Sequence, residues 1–151
     1  MRAVVQRVSS ASVTAIGAPR TAIGRGLVVL AAVEAGDEAA DAEWLARKFV
    51  QLRLFPDDAG RMNRSLSDVA GDLMVVSQFT LLGTVRKGTR PSYNRSAGPD
   101  EAIPLYEALV ARAESLLGRP VATGLFGADM SLALTNDGPV TIILDTKRKD
   151  Y

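Results

Sequence analysis

Ser77-Gln78-Phe79-Thr80 gathers two hydroxyls and a carboxamide into four consecutive residues at what reads as the end of a strand. There, hydroxyl, amide and freed backbone N–H groups come together, which in a generic sequence is ordinary edge chemistry. Thr80 is a candidate nucleophile, but a threonine hydroxyl without a neighbouring base is weak. No histidine and no cysteine occurs among the 151 residues. That excludes Ser-His-Asp and Cys-His pairs, an imidazole general base and an ordinary structural zinc site. Any enzymatic chemistry must use carboxylates, hydroxyls, lysines, backbone amides or the substrate's own groups.

Three further constellations stand out. Between 86 and 95 lie Arg86, Lys87, Arg90 and Arg95, interleaved with Tyr93 and without an acidic residue. Such a stretch suits phosphate, although a solvated charged loop has the same composition. The net charge of +1 is too small to make the whole surface a nucleic-acid binder, so contact with RNA would have to be local. Lys147-Arg148-Lys149 is a second basic cluster, read as a solvated tail. Phe126 and Met130, four residues apart, are core residues by default. Gly138-Pro139 follows Asn136-Asp137 and reads locally as a tight turn; only roughly 5% of X-Pro bonds in folded proteins are cis. No metal or cofactor site is visible. Asp57 with Asp58, and Asp37 with Glu38, sit where turns and helix starts use carboxylates as caps.

The elements that must position these groups follow from periodicity. Alternation over 3–8 and 12–16 predicts two strands, with turn chemistry at 17–19. The continuous apolar run 27–33 predicts a central strand buried on both faces. Asp37 is placed to cap a helix over 38–52, burying Leu45, Phe49 and Leu52 with Trp44 beside them. After a turn at 56–60, a strand over 73–79 carries the Ser-Gln-Phe-Thr block to its end. The polar stretch 83–99 is a long loop. Tyr106, Leu109, Val110, Ala113, Leu116 and Leu117 then form a helical stripe, stopped by Gly118, with Pro104 in or before the first turn. Two strands over 130–135 and 140–144 are expected to form a hairpin about 136–139. The expectation is one mixed α/β (α+β) domain over 1–151, mostly antiparallel strands with two helices packed on one side.

Composition fits this reading: 47% of residues are hydrophobic and 23% charged, near globular averages. The run 27–33 is far shorter than the ~20 residues of a membrane-spanning helix, so no membrane association is expected. The opening alternation lacks a signal peptide's apolar segment, and with no cysteine present this points to the cytoplasm.

Five segments in order resemble the D-aminoacyl-tRNA deacylase family: Arg2-Ala3-Val4-Val5-Gln6-Arg7-Val8-Ser9, Val76-Ser77-Gln78-Phe79-Thr80-Leu81, Arg86-Lys87-Gly88-Thr89-Arg90-Pro91-Ser92-Tyr93, Phe126-Gly127-Ala128-Asp129-Met130 and Asn136-Asp137-Gly138-Pro139-Val140-Thr141. The resemblance covers nearly the whole chain. It implies a barrel-like β layer and a cytoplasmic homodimer that hydrolyses the ester between a D-amino acid, or mischarged glycine, and the terminal adenosine of tRNA. It also implies that Gly138-Pro139 is a Gly-cis-Pro pair whose carbonyls enter the partner's active site and hold the substrate's α-amino group, with Arg7 as support. Ser77, Gln78, Phe79 and Thr80 become the catalytic segment. Phe126 and Met130 become adenine contacts, and Lys87 and Arg90 contacts to the acceptor backbone. Hydrolysis is then assisted by the RNA 2′-hydroxyl, with backbone amides near Phe79 and Thr80 stabilising the oxyanion. Tyr93 departs from the family, where phenylalanine is common, and Pro104 intrudes near a helix start. A non-catalytic RNA-binding module and a purely structural oligomer subunit are the competing readings.

Overall fold

A computed structural model describes residues 1–150. Strand β1 (Arg2–Ala15) is one continuous strand, where alternation had suggested two. The apparent break is a pair of register shifts about Arg7 and Ser9. At Arg7 the extra residues belong to the partner strand, but at Ser9 the extra residue is in β1 and moves its alternation by one, so Val8, Ala11 and Val13 reach the same apolar cluster despite their different parity. Gly17, at φ +82°, turns the chain into β2 (Thr21–Ile23), antiparallel to β1.

β3 (Gly26–Ala32) lies between β1 and β6 (Asp72–Ser77), antiparallel to the first and parallel to the second. The apolar run therefore is central, and both its faces are covered. Leu27, Val29 and Ala31 join one cluster with the helices, while Val28 packs in a second with Val8, Val13 and Met74. Burying each such side chain is worth about 1.5–3 kcal/mol, which makes this strand the spine of the fold.

Helix α1 (Ala39–Gln51) turns Leu45, Ala46 and Phe49 into the first cluster. Its N-cap is Glu38, not Asp37: the Glu38 N–H donates to Asp41 Oδ2 at 2.8 Å. Asp37 is instead buried in an ion pair with the Met1 ammonium at 2.7 Å, and Lys147 approaches its other oxygen at 3.2 Å. Lys147 is thus anchored rather than part of a free tail, because a buried carboxylate draws any cation within reach. A short hairpin of β4 (Phe55–Pro56) and β5 (Met62–Arg64) follows.

Helix α2 (Pro99–Leu117) packs against α1, starts on Pro99 and ends at Gly118 in the left-handed region, φ +68°. Pro104 lies inside the helix, later than the first turn. The helix continues through it because Pro104 faces solvent, so the carbonyl it leaves without a donor is open to water.

β7 (Ala122–Thr123) adds in parallel to β6, and β8 (Met130–Asp145) closes on the free side of β1. The sheet runs β2-β1-β3-β6-β7, and β2 lies against β6 and β7, which curls it into a nearly closed barrel. This is the expected mixed α/β fold with two helices on one side. The hairpin expected about 136–139 does not form. Residues 130–135 and 141–145 both run antiparallel to β1, so they are one strand whose residues 137–140 bulge out opposite Arg7. The turn-forming Asp137-Gly138-Pro139 supplies that excursion rather than a chain reversal. No helix among the described residues is long and apolar enough to cross a membrane.

Candidate active site

A cavity of about 590 Å³ opens where the C-terminal ends of β3 and β6 meet α2 and the start of β8. It is lined by Ser77, Gln78, Phe79, Thr80, Phe126 and Met130 from the sequence-derived set, and by Ala31–Val33, Tyr106 and Asp129 among others. Arg7, Lys87, Arg90, Gly138 and Pro139 do not line it.

β6 stops at Ser77, two residues earlier than the periodicity predicts. The Gln78 N–H still donates to Ala31 O at 2.8 Å, and the chain then winds into a single 3-10 turn over Phe79–Leu82. In that turn the Leu81 N–H returns to Gln78 O at 3.2 Å, whereas the Phe79 and Thr80 N–H groups have no acceptor among the described residues. Two adjacent amide donors at a cavity wall are the raw material of an oxyanion site. The Thr80 hydroxyl accepts a hydrogen bond from the Gln78 carboxamide, and no histidine exists to deprotonate it.

Tyr106 forms the opposite wall. Its hydroxyl donates to Val75 O at 2.8 Å and its ring packs against Phe126 at 5.5 Å. Burial pushes the phenol up to about 12, so it remains a neutral donor. Phe126 and Met130 are only partly buried, each with part of its surface turned to the cavity. A Cβ on Gly124 would run into the Met130 thioether, so glycine there makes room for that side chain. Among the described residues no three His, Cys, Asp or Glu side chains gather as a metal site.

The 137–140 excursion is a separate structure, exposed at Gly138 and Pro139, and it is held by Arg7 and Asn136. Arg7, 8% exposed, donates from Nε to Asp137 O at 3.0 Å and from Nη1 to Leu54 O at 2.6 Å. The Val140 N–H donates to Asn136 Oδ1 at 2.8 Å, and Asn136 Nδ2 donates to Thr141 Oγ1 at 3.0 Å. The Gly138–Pro139 peptide bond is cis, with Gly138 at φ +129°. A Cβ on Gly138 would stand 2.9 Å from Arg7 Nη2 and 2.8 Å from Val140 Cγ2, so glycine is demanded by both backbone and neighbours.

The basic loop folds back through a Thr84↔Ser92 bridge, with Gly88 at φ +71°. Arg86, Lys87 and Arg90 are exposed and make no ion pair among the described residues. Arg95 departs from this set: it pairs with Glu34 at 2.9 Å.

Residues 4–145 match the family described as D-Tyr-tRNA(Tyr) deacylase. The chain belongs to that family. Proteins named D-aminoacyl-tRNA deacylase from Opitutus terrae and Thermomicrobium roseum are 55% and 56% identical to it, over 99% and 97% of this chain and 100% and 94% of theirs. A solved structure titled c-Myc DNA Unwinding Element Binding Protein superposes with a TM-score of 0.88 at 37% identity, covering 97% of this chain and 99% of that one. A probable eukaryotic D-amino acid tRNA deacylase structure, at 17% identity and TM-score 0.79, shares the fold. Within this deacylase-family chain, sequence reasoning missed Tyr106 and Asp129 as cavity residues. Tyr106 sat in an ordinary helical stripe, and nothing in the spacing told its hydroxyl from a core ring's polar tip.

Proposed function

We propose that this family member is a D-aminoacyl-tRNA deacylase, hydrolysing the ester between a D-amino acid, or mischarged glycine, and the 3′-terminal adenosine of tRNA. The observation that carries the reading is the cavity itself. It joins two unpartnered amide donors, Phe79 and Thr80, to an aromatic and thioether wall, Phe126 and Met130, in a chain without histidine or cysteine. A flat base suits that wall, and the ester carbonyl suits the amides.

In this mechanism water attacks the ester carbon and its proton is drawn off with help from the adenosine 2′-hydroxyl. Negative charge on the carbonyl oxygen is met by the Phe79 and Thr80 N–H groups. One preorganised donor of this kind is worth roughly 3–4 kcal/mol, which suffices for an already activated ester. The bond to the ribose 3′-oxygen then breaks, the departing oxygen takes the proton, and free amino acid and tRNA leave. Lys87 and Arg90 meet the acceptor phosphates.

The chiral filter is assigned to Gly138 and Pro139. Rigid carbonyls that receive the α-amino group leave room for a side chain only in the D position and for glycine in either sense; an L side chain meets backbone. Because the pair stands outside its own cavity, this role places it in the cavity of a second copy, as a two-fold homodimer allows. The whole chain, 1–151, acts as one domain in the cytoplasm.

Deacylation of D-tyrosyl-, L-tyrosyl- and glycyl-tRNA tests the reading. Turnover of the first and third with the second spared is the expected result. RNA binding without turnover of any of the three would overturn it in favour of a binding module.

A further inference from the structure

At the rim of the cavity, two aromatic rings are left partly exposed by the chain's own fold. Phe79 lines the cavity yet is 55% exposed, and Tyr93, from the basic loop, is 37% exposed. Their centroids are 5.1 Å apart and their planes meet at 72°, an edge-to-face pair. In such a pair the ring set edge-on keeps both of its faces clear of its partner.

The arrangement is built rather than incidental. The Thr84 and Ser92 backbones exchange two hydrogen bonds of 2.9 Å at the base of the loop, and the Ser96 N–H donates to Tyr93 O at 2.9 Å. The Ser96 hydroxyl donates to Phe79 O at 3.2 Å, tying the loop to the catalytic segment. A Cβ on Gly83 would approach the Tyr93 ring to 2.9 Å, so glycine at that position lets the ring lie where it does. The same loop carries Arg86, Lys87 and Arg90, exposed and without ion pairs among the described residues.

We propose that Phe79 and Tyr93 form a stacking platform for the base of the unpaired nucleotide preceding the terminal adenosine. This rests on the deacylase reading above. A cavity of about 590 Å³ has the size of a single small-molecule site, enough for one aminoacylated nucleoside. The next nucleotide must lie at the rim, and the rim offers partly exposed rings, one of them on the loop that also carries the cations Arg86, Lys87 and Arg90. Every base has a π-face, so the platform adds affinity for a single-stranded 3′ end without reading its sequence. A double-stranded or blunt end would not gain from it.

The test compares two esters, D-tyrosyl-adenosine and the D-tyrosyl ester of the dinucleotide cytidylyl-adenosine, with the full-length wild-type protein, Tyr93→Leu and Tyr93→Phe. Stacking one base on an aromatic side chain corresponds to roughly tenfold in affinity or more. Wild type should therefore hydrolyse the dinucleotide ester with kcat/KM about tenfold above the adenosine ester, chiefly through KM. Tyr93→Leu should lose most of that gain while keeping the adenosine-ester rate, and Tyr93→Phe should retain the gain. A Tyr93→Leu protein that keeps the full gain overturns the proposal. So does one that slows on both esters alike, or one whose mass in light scattering falls, since the pair would then serve the catalytic turn or a subunit contact. If wild type cleaves both esters at equal kcat/KM, the platform fails while the deacylase reading stands; if it cleaves neither, both fail.

Discussion

Replacing Arg7 by Met keeps the unbranched apolar stem and removes only the guanidinium, so the effect isolates what that group holds. In the folded chain the Arg7 side chain as a whole is 10% exposed, and its guanidinium bonds the carbonyls of Leu54 and Asp137 and lies 3.2 Å from the Asp137 carboxylate. Hydrogen bonds from a charged donor are worth about 1.5–3 kcal/mol each, and the one to Leu54 O is buried at 2.6 Å. Asp137 is 47% exposed, so water can replace much of its ion pair, and that contact adds less than about 1 kcal/mol. Against these stands relief of the buried guanidinium's desolvation, which reduces the sum without cancelling it. The balance is a loss of about 2–4 kcal/mol. For a protein of this size each kcal/mol lowers Tm by roughly 2–4 °C, so a fall on the order of 5–15 °C is expected. Urea denaturation at matched protein concentration should give a lower midpoint at unchanged slope. In the same variant the 137–140 excursion loses its anchor, so the ratio of D- to L-tyrosyl-tRNA deacylation should fall as well. A midpoint within experimental error of wild type would refute the energetic argument. An intact D/L ratio in a destabilised protein would refute the link between Arg7 and the filter.

Other expectations follow from the same geometry. Lys87→Ala and Arg90→Ala should each weaken tRNA binding and reduce the slope of log K against log salt by about 0.7–0.9, with Tm unchanged; an unchanged slope would remove them from the phosphate path. Thr80→Ala loses the Gln78 side-chain bond but keeps the backbone amide, so its deacylation rate should stay within about tenfold of wild type, corresponding to roughly 1.4 kcal/mol. A trapped acyl-Thr80 adduct in single-turnover mass spectrometry would contradict that. Burial pushes the Asp145 carboxyl up, but hydrogen bonds from Arg2 and the Lys147 N–H, with the nearby charges, outweigh it and hold it below its ordinary 3.8. A depressed carboxylate contributes stability that is present above the unfolded value and lost as pH falls through the folded one. Asp145→Asn should therefore flatten the drop in Tm below about pH 4, and an unaltered acid limb would argue against this pair as its source.

Local pattern alone determined much of this protein. The buried run 27–33, the stripe Leu45–Phe49 and the stop at Gly118 each depend on interactions within a few residues, and periodicity reports those directly. The missing histidine and cysteine, also a property of the chain alone, confined the chemistry to amides, hydroxyls and substrate groups. What tertiary structure decided were the long-range pairings. Only the ladder to β1 shows that 130–145 is one strand with an outward bulge, because a turn-rich segment reads the same whether its flanks pair with each other or with a third strand. Asp37 looked like a helix cap until the fold brought Met1 and Lys147 to it from the two ends of the chain. The cavity is a further product of packing: Tyr106 and Phe126 meet across the mouth of the sheet, and the exposed Phe79–Tyr93 pair exists because a loop returns to the strand it left. Contacts between residues far apart in sequence leave no periodic trace, and in this chain they shape the site.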